Sequence, residues 1–232
     1  GLQRDEVGYH VQPVVNARTL KVKGFEGLIR WERPNGEILG PGLFLDTMTK
    51  AYDARTRPPT QNAHRVARWA VFDMGRSIAF NVSTVFLNRA AEEGLGWVQD
   101  IVGDVPYNRV VFELVETAVE QRDGNLARVV DQLRAKGIRV ALDDFGTGHS
   151  TLSRLRALPV DIVKIDRSFV ARATRSPRDL ELLRSMITLI RSVGAESVCE
   201  GIETQAQLET VRMLGTDSMQ GFLLGKPRPI EA

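Results

Sequence analysis

Nearly every stretch of the chain that reads as a buried strand contains an ionisable or amide side chain, either within the stretch or at its C-terminal end. In chain order these side chains are Glu26, Asn81, Glu113, Glu116, Asp143, Asp144, Lys164, Asp166, Glu200, Glu203 and Gln220. A single such residue is most simply a helix cap or a carboxylate paired with a neighbouring Arg or Lys. A series over six strands is poorly explained that way, because clustered carboxylates repel one another and lose hydration unless a cation neutralises them.

The candidate ligands are all oxygen donors, which points to a hard divalent cation. The three histidines, His10, His64 and His149, form no recognisable zinc pattern. Carboxylate and amide oxygens favour Mg²⁺ or Mn²⁺ over zinc or copper. In the adjacent pair Asp143 and Asp144, one carboxylate could bridge two ions while its neighbour holds the second. Two ions roughly 3.5–4 Å apart are an arrangement that cleaves phosphodiesters.

Short β-rich segments recur along the whole chain and must position these side chains. They predict strands over Tyr9–Val15, Gly24–Trp31, Ser77–Val82, Arg109–Val115, Gly137–Leu142, Ile162–Ile165, Ser197–Ile202 and Met219–Leu224. Amphipathic segments with helical spacing, such as Asn125–Lys136 and Leu180–Val193, separate most of them. This alternation predicts an α/β barrel of mostly parallel strands. Because the C-terminal strand ends of such a barrel share one face, the polar side chains should meet at one mouth.

Length, charge and cysteine content bear on the number of domains, on binding to DNA or membranes and on the cellular compartment. The 232 residues show no internal repeat or composition break, so we expect a single domain over residues 1–232. The 31 basic and 29 acidic residues nearly cancel, which argues against nonspecific binding of DNA. The single cysteine, Cys199, excludes an intrachain disulfide framework and suits a reducing cytoplasm. No apolar stretch approaches the roughly 20 residues that cross a bilayer, so we expect no membrane insertion. The start at Gly1 and Leu2 is what we expect of a domain excised from a longer protein.

Five motifs together are specific. They are Asp143–Gly148 (DDFGTG), Leu158–Asp161 (LPVD), Lys164–Phe169 (KIDRSF), Glu200–Thr204 (EGIET) and Gln220–Phe222 (QGF). In these motifs, and over about Tyr9 to Pro229, the chain resembles the EAL domain family of bacterial second-messenger signalling, the phosphodiesterases that hydrolyse cyclic di-GMP. The resemblance implies a modified (βα)₈ TIM barrel with an antiparallel first strand. It also implies hydrolysis of cyclic di-GMP to linear pGpG by two Mg²⁺ or Mn²⁺ ions and a metal-activated water.

The resemblance also assigns roles to individual residues. The first ion would be held by Glu26, Asn81, Glu113 and Asp143, and the second by Asp143, Asp144 and Glu200. Lys164 would orient the attacking water, and Glu116 would support the loop over residues 144–150. The residues that would face the substrate are Gln12, Arg30 and Gln220. Gly146, Thr147 and Gly148 would belong to the loop next to the metal ligands, and Glu203 would lie behind the ligands.

The sequence departs from the family pattern at four places. Gly27 replaces the Ala of the eponymous motif, Val115 replaces a usual Thr, His149 replaces a usual Tyr, and residues 46–60 diverge. None of these changes removes a predicted ligand. A catalytically silent cyclic di-GMP receptor and a barrel with purely structural ion pairs remain as alternatives.

The resemblance carries further expectations beyond the site itself. We expect Ca²⁺ to inhibit hydrolysis, because it is larger and less polarising than Mg²⁺ or Mn²⁺. We also expect a cytoplasmic homodimer and an attached sensor or GGDEF-type domain outside this chain.

Overall fold

Ten strands form one sheet in the described part of the chain, and eight of them close on themselves as a barrel. The computed structural model describes residues 6–44, 60–82, 87, 94–115, 125–147 and 155–230. The strands are β1 Val7–Asn16, β2 Val22–Glu32, β3 Ile38–Leu39, β4 Ser77–Val82, β5 Val110–Val115, β6 Arg139–Phe145, β7 Ile162–Ile165, β8 Glu196–Cys199, β9 Ser218–Met219 and β10 Arg228–Pro229.

The first strand closes the barrel by pairing with both of its neighbours in the antiparallel sense. β1 is antiparallel to β2 and to β9, whereas successive pairs from β2 through β4 to β9 are parallel. The short strands β3 and β10 add antiparallel pairs to β2 and β1. The predicted (βα)₈ barrel with an antiparallel first strand is therefore confirmed.

Helices surround the barrel and cover its outer face. They are α1 Thr60–Arg68, continued by a π-helical turn over Trp69–Asp73, α2 Gly96–Val102, α3 Asn125–Ala135, α4 Arg167–Ala173, α5 Pro177–Ser192 and α6 Gln205–Leu214. Local signals fix where several of them begin. The Asp166 side chain accepts a hydrogen bond from Ser168 N at the start of α4, and Thr204 and Gln207 form a reciprocal capping box at α6. None of the described helices is both long and apolar enough to cross a membrane.

Two apolar clusters lie on opposite faces of the strands. The larger one packs the outer strand faces, including Phe112, Leu142 and Val163, against the helices. The smaller one consists of Ala79, Val111, Ala141, Ile162 and Val198. Because side chains alternate along a strand, its members point into the barrel. The polar residues two positions further along each strand point the same way and form the next level toward the C-terminal ends.

Two predicted strands are wrong at their C-terminal ends. β8 ends at Cys199 rather than Ile202, and Gly201 adopts a left-handed conformation with a φ of 68°. β9 ends at Met219 rather than Leu224, and a turn follows in which Leu224 N donates to Gly221 O at 3.0 Å. The apolar residues that suggested a longer strand, Phe222 and Leu223, are 55% and 44% exposed. An apolar run indicates a strand only where it is buried, and this one is on the surface.

Candidate functional site

Each of the eight barrel strands contributes one polar side chain to a layer inside the barrel, which we call the polar layer. Six of its members lie within β1, β2 and β4 to β7, and two follow directly after β8 and β9. In chain order they are Gln12, Glu26, Asn81, Glu113, Asp143, Lys164, Glu200 and Gln220. The structure therefore brings together residues that are up to about 200 positions apart in the sequence, as the barrel geometry predicts.

The ammonium of Lys164 lies at the centre of the carboxylates. Its Nζ atom is 2.7 Å from Glu113 Oε2, 2.9 Å from Glu200 Oε1, 3.2 Å from Asp143 Oδ1 and 3.4 Å from Glu26 Oε2. The side chain of Lys164 is only 3% exposed. A charge this deeply buried is stable only when it is paired, and four carboxylates provide that pairing.

A chain of amides fixes the orientation of the Glu26 carboxylate. Asn81 Nδ2 donates to Glu26 Oε1 at 3.0 Å, and Gln220 Nε2 donates to Glu26 Oε2 at 2.6 Å. Gln220 Nε2 also donates to Gln12 Oε1 at 3.1 Å, and Gln12 Nε2 donates to Gly225 O at 3.0 Å. Each carboxylate oxygen of Glu26 thus accepts a hydrogen bond from a different amide, which fixes the orientation of the carboxylate.

A β-bulge presents two consecutive carboxylates to the site. The pairing of β6 with β7 shifts register between Leu142 and Phe145, and Asp144 has a left-handed φ of 56°. In a regular strand neighbouring side chains point to opposite faces, and a bulge re-aims one of them. Asp144 N donates to Asp143 Oδ1 at 2.9 Å, which fixes the two residues relative to each other.

Two groups of carboxylates could each hold a metal ion. One consists of Glu26, Glu113 and Asp143, the other of Asp143, Asp144 and Glu200, and the ligand atoms within each group lie within 4.8 Å of one another. Asp143 belongs to both groups. The donor set is made only of oxygen atoms, which suits a hard divalent cation.

The electrostatics of the layer show an excess of negative charge. Burial, followed by repulsion from Glu26, raises the pKa of Glu113 well above its usual value. Burial also raises the pKa of Glu200, to about 7. Burial opposes ionisation of Glu26 too, but Lys164 and the two amides outweigh it and hold the pKa of Glu26 below its usual value. Burial alone would lower the pKa of Lys164, but the surrounding carboxylates raise it well above the normal value. One ammonium does not neutralise the four carboxylates of the layer and neighbouring Asp144, and divalent cations would fit this imbalance.

The other predicted site residues lie further from the polar layer. Arg30 is half-buried near the end of β2, its guanidinium donates to Ile29 O at 2.8 Å, and burial lowers its pKa while nearby Glu26 opposes that effect. Thr147 is exposed and donates to Asp144 O at 2.9 Å. Gly146 precedes it, with a φ of 103°. Glu203 is exposed just before α6.

Some predictions fall on residues that the structure does not describe. Glu116, Gly148 and His149 lie outside the described residues, as do most of residues 46–60. The roles predicted for Glu116 and Gly148 therefore stay predictions.

Sequence reasoning missed two features of the site. Gly225 O anchors Gln12 from a turn, and no side-chain pattern could reveal a backbone acceptor. Ser218 lies on the same barrel face as Gln220, two positions earlier, but a single Ser in a strand carries no chemical signal.

The fold and the site define an α/β-barrel protein with an acidic cluster that could hold metal ions at the C-terminal ends of its strands. The chain belongs to the EAL domain family, whose model matches residues 1–227. It is 31% identical over 249 residues to the bifunctional diguanylate cyclase/cyclic di-GMP phosphodiesterase MucR of Pseudomonas aeruginosa, covering 99% of this chain and 34% of MucR. It is 35% identical over 242 residues to an uncharacterized protein of Azorhizobium caulinodans, covering 95% of this chain and 31% of that protein.

A solved structure shows the same fold. The PaMucR phosphodiesterase in complex with c-di-GMP superposes with a TM-score of 0.85 at 31% identity, covering 98% of this chain and 94% of that one. The chain spans about a third of the length of the curated relatives it matches. Resemblance to these proteins therefore concerns one part of them.

Proposed function

We propose that this chain is a cyclic di-GMP phosphodiesterase that hydrolyses the cyclic dinucleotide to linear pGpG with two divalent ions, Mg²⁺ or Mn²⁺. Two groups of carboxylates that share Asp143 carry the proposal, because two neighbouring cations bridged by one ligand suit phosphodiester cleavage. The similarity to PaMucR, a phosphodiesterase in complex with c-di-GMP, supports the choice of substrate.

The polar layer contains enough ligands for both ions. Glu26, Asn81, Glu113 and Asp143 would hold one ion, and Asp143, Asp144 and Glu200 would hold the other. When bound, the ions would acidify the attacking water and neutralise the phosphoryl oxygens. The oxygen donors and the excess negative charge fit this assignment.

The residues of the chain hold this ligand set in a fixed arrangement. Asn81 and Gln220 donate to opposite oxygens of Glu26, so its carboxylate is oriented before any ligand arrives. Gln12 and Gln220 are both buried and hydrogen-bonded within the protein, which favours a role in orienting Glu26. Contact of Gln12, Arg30 or Gln220 with the substrate stays a prediction.

Lys164 can act on the nucleophile only if its donors become available. An ammonium has three N–H groups, and four carboxylates lie within 3.4 Å of Lys164 Nζ. Lys164 therefore gains a free donor only when a carboxylate turns toward another cation. In the proposed reaction that donor holds the attacking water and orients it toward phosphorus.

The direct test is to incubate the purified chain with cyclic di-GMP and Mn²⁺ and to separate the products by chromatography. We expect linear pGpG from the wild type and none from Asp143→Asn, since Asp143 belongs to both carboxylate groups. Asp131→Asn is the matched control, because Asp131 is exposed on α3, a helix that packs on the outer face of the barrel. If the metal-loaded chain binds cyclic di-GMP but forms no pGpG, the chain is a receptor and the proposed function is wrong.

The identity of the cation gives a second test. Mg²⁺ and Mn²⁺ bind oxygen at about 2.0–2.2 Å in a strict octahedral arrangement, whereas Ca²⁺ accepts longer and less regular coordination. We expect Ca²⁺ to support binding of cyclic di-GMP while hydrolysis stops. Calorimetric binding and product formation, measured on the same samples with each ion, check this prediction. Undiminished hydrolysis with Ca²⁺ would contradict it.

Homodimerisation and an attached sensor or GGDEF-type domain are predictions from the family resemblance, and a cytoplasmic location is a prediction from the single cysteine. The oligomeric state, the cellular location and the domain composition can each be measured on the full-length protein.

A further inference from the structure

A cavity lies inside the barrel beneath the polar layer. It measures about 50 Å³, and its walls include the small apolar side chains of Val14, Ala79 and Val111. Its polar lining includes Glu113, Lys164 and Gln220 at the end near the site, Lys23, Arg139 and Glu196 at the opposite end, and the two serines Ser77 and Ser218. Lys23 and Arg139 are both paired with Glu196, at 2.6 and 2.8 Å.

Two residues that line this cavity each have a deeply buried polar atom with no hydrogen-bond partner among the described residues. These atoms are Ser218 Oγ and Gln220 Oε1, on residues that are 1% and 4% exposed. The orientation of the Gln220 amide is fixed by its other end, since Nε2 donates to both Glu26 and Gln12. A flipped amide would place its oxygen against the Glu26 carboxylate. Two residues of the cavity wall therefore carry an unsatisfied amide carbonyl and an unsatisfied hydroxyl.

Water is the ligand that fits this space. A water molecule requires about 10–15 Å³ of such volume and two to four polar partners, so the cavity has room for roughly three to five water molecules. Leaving a buried hydroxyl and amide carbonyl without partners is unfavourable, and water can both donate to a carbonyl and exchange hydrogen bonds with a hydroxyl.

We propose that ordered water in this cavity bridges Ser218 Oγ and Gln220 Oε1, and that Ser218 is through this water a positioning residue for Glu26. A hydrogen bond accepted by an amide oxygen polarises the amide and strengthens the bonds that its N–H groups donate. The bond strengthened here joins Gln220 Nε2 to Glu26 Oε2 at 2.6 Å. The water site is independent of the proposed function. The importance of positioning Glu26 for metal binding rests on the proposed function.

Two variants of equal shape isolate the hydroxyl. Ser218→Thr keeps it, and Ser218→Val replaces it by a methyl group, so any difference between the two reports the hydrogen bonds alone. Ser197→Ala is the control in the neighbouring strand, because Ser197 is also 1% exposed but bonds to Thr216 and Asp217 and does not line the cavity.

Three measurements on these proteins test the proposal. High-resolution crystal structures of the wild type should show a water within hydrogen-bond distance of both Ser218 Oγ and Gln220 Oε1. The same bridging water should be present in Ser218→Thr, which keeps the hydroxyl, and absent from Ser218→Val. The ¹⁵N resonance of the Gln220 side-chain amide should shift in Ser218→Val and not in Ser197→Ala. By calorimetry, Ser218→Val should bind Mn²⁺ about fivefold more weakly than Ser218→Thr, the effect of one hydrogen bond.

The outcomes separate this proposal from the proposed function. Absence of the bridging water in the wild type, or equal amide resonances and equal Mn²⁺ affinities in the two variants, would overturn it. If the wild type binds no Mn²⁺ at all, the proposed function fails, and the crystal structures and amide resonances still decide whether Ser218 positions Gln220.

Discussion

Replacing Lys164 by Met tests whether one ammonium holds the carboxylates together in the metal-free protein. The substitution keeps an unbranched side chain of similar length and removes only the charge and its N–H donors. Lys164 is 3% exposed and lies within 3.4 Å of four carboxylates. Removing one partner from a buried ion pair typically costs about 3–5 kcal/mol, because the remaining charge is left uncompensated. We expect Lys164→Met to lower the free energy of unfolding by that amount near neutral pH.

Lys23→Met provides the matched comparison. Lys23 also points into the barrel, but it is 34% exposed and its carboxylate partner, Glu196, keeps a second cation in Arg139. Solvent screens a pair of this kind, and its loss should cost at most about 1 kcal/mol. The two Lys→Met variants therefore differ in burial and in the number of partners but not in the chemistry of the change.

The assay is urea unfolding followed by circular dichroism, with EDTA and then with Mn²⁺. In EDTA, Lys164→Met should unfold at a much lower urea concentration than Lys23→Met. Mn²⁺ should recover more stability in Lys164→Met, because a divalent cation can replace the missing positive charge. Equal stability of the two variants in EDTA would refute the view that Lys164 compensates the polar layer.

Three further substitutions test the electrostatics and the loop. Burial raises the pKa of Glu200 from 4.5 to about 7, so ionisation is less favourable in the folded than in the unfolded chain. The stability gained by Glu200→Gln in EDTA should be absent near pH 4.5, grow toward about pH 7 and stay constant above it; a difference independent of pH would contradict this. Glu196 has the opposite sign: burial opposes its ionisation, but its Arg and Lys partners hold its pKa below 4.5. Glu196→Gln should therefore lower the free energy of unfolding by up to about 1 kcal/mol above pH 4.5, and this loss should vanish as the pH falls through the folded-state pKa of Glu196. An equal loss in acid would show that it does not come from the ion pairs of Glu196. In urea unfolding, Gly146→Ala should lower the free energy of unfolding by about 1–3 kcal/mol more than Gly194→Ala. Both glycines have a positive φ, but only at Gly146 would the new Cβ meet a ring, that of Phe169 at 2.5 Å. Equal losses in the two variants would show that the loop adapts.

The polar layer could be predicted from the sequence because each of its charged members interrupts an apolar strand. Glu113 and Lys164 are good examples, since their strand neighbours are buried and apolar on both sides. The parallel arrangement then requires that the strand ends meet at one face, whatever the details of packing. Residue type and position in an apolar strand thus indicated seven of the eight members, whereas Gln12 was assigned only through the family resemblance.

The geometry of the site could not be predicted, because it depends on pairings between distant segments. The bulge at Asp143 and Asp144 exists only through the register of β6 against β7. Gln12 belongs to the antiparallel strand and bonds to a carbonyl 213 positions away. The contacts of Lys164 with four carboxylates follow from barrel closure, and no local pattern distinguishes them from a single ion pair.

The two apolar clusters explain how the fold tolerates a layer of like charges. The main core lies outside the barrel, between strands and helices, and contains none of the carboxylates. Inside the barrel the apolar side chains beneath the polar layer are small or β-branched, and they leave the cavity that Ser218 and Gln220 line. The stability of the barrel therefore comes mainly from surfaces that do not touch the site. Substitutions within the polar layer change charge and hydrogen bonding while the outer core stays packed, so an unfolding measurement on each variant is what separates an effect on cation binding from an effect on stability.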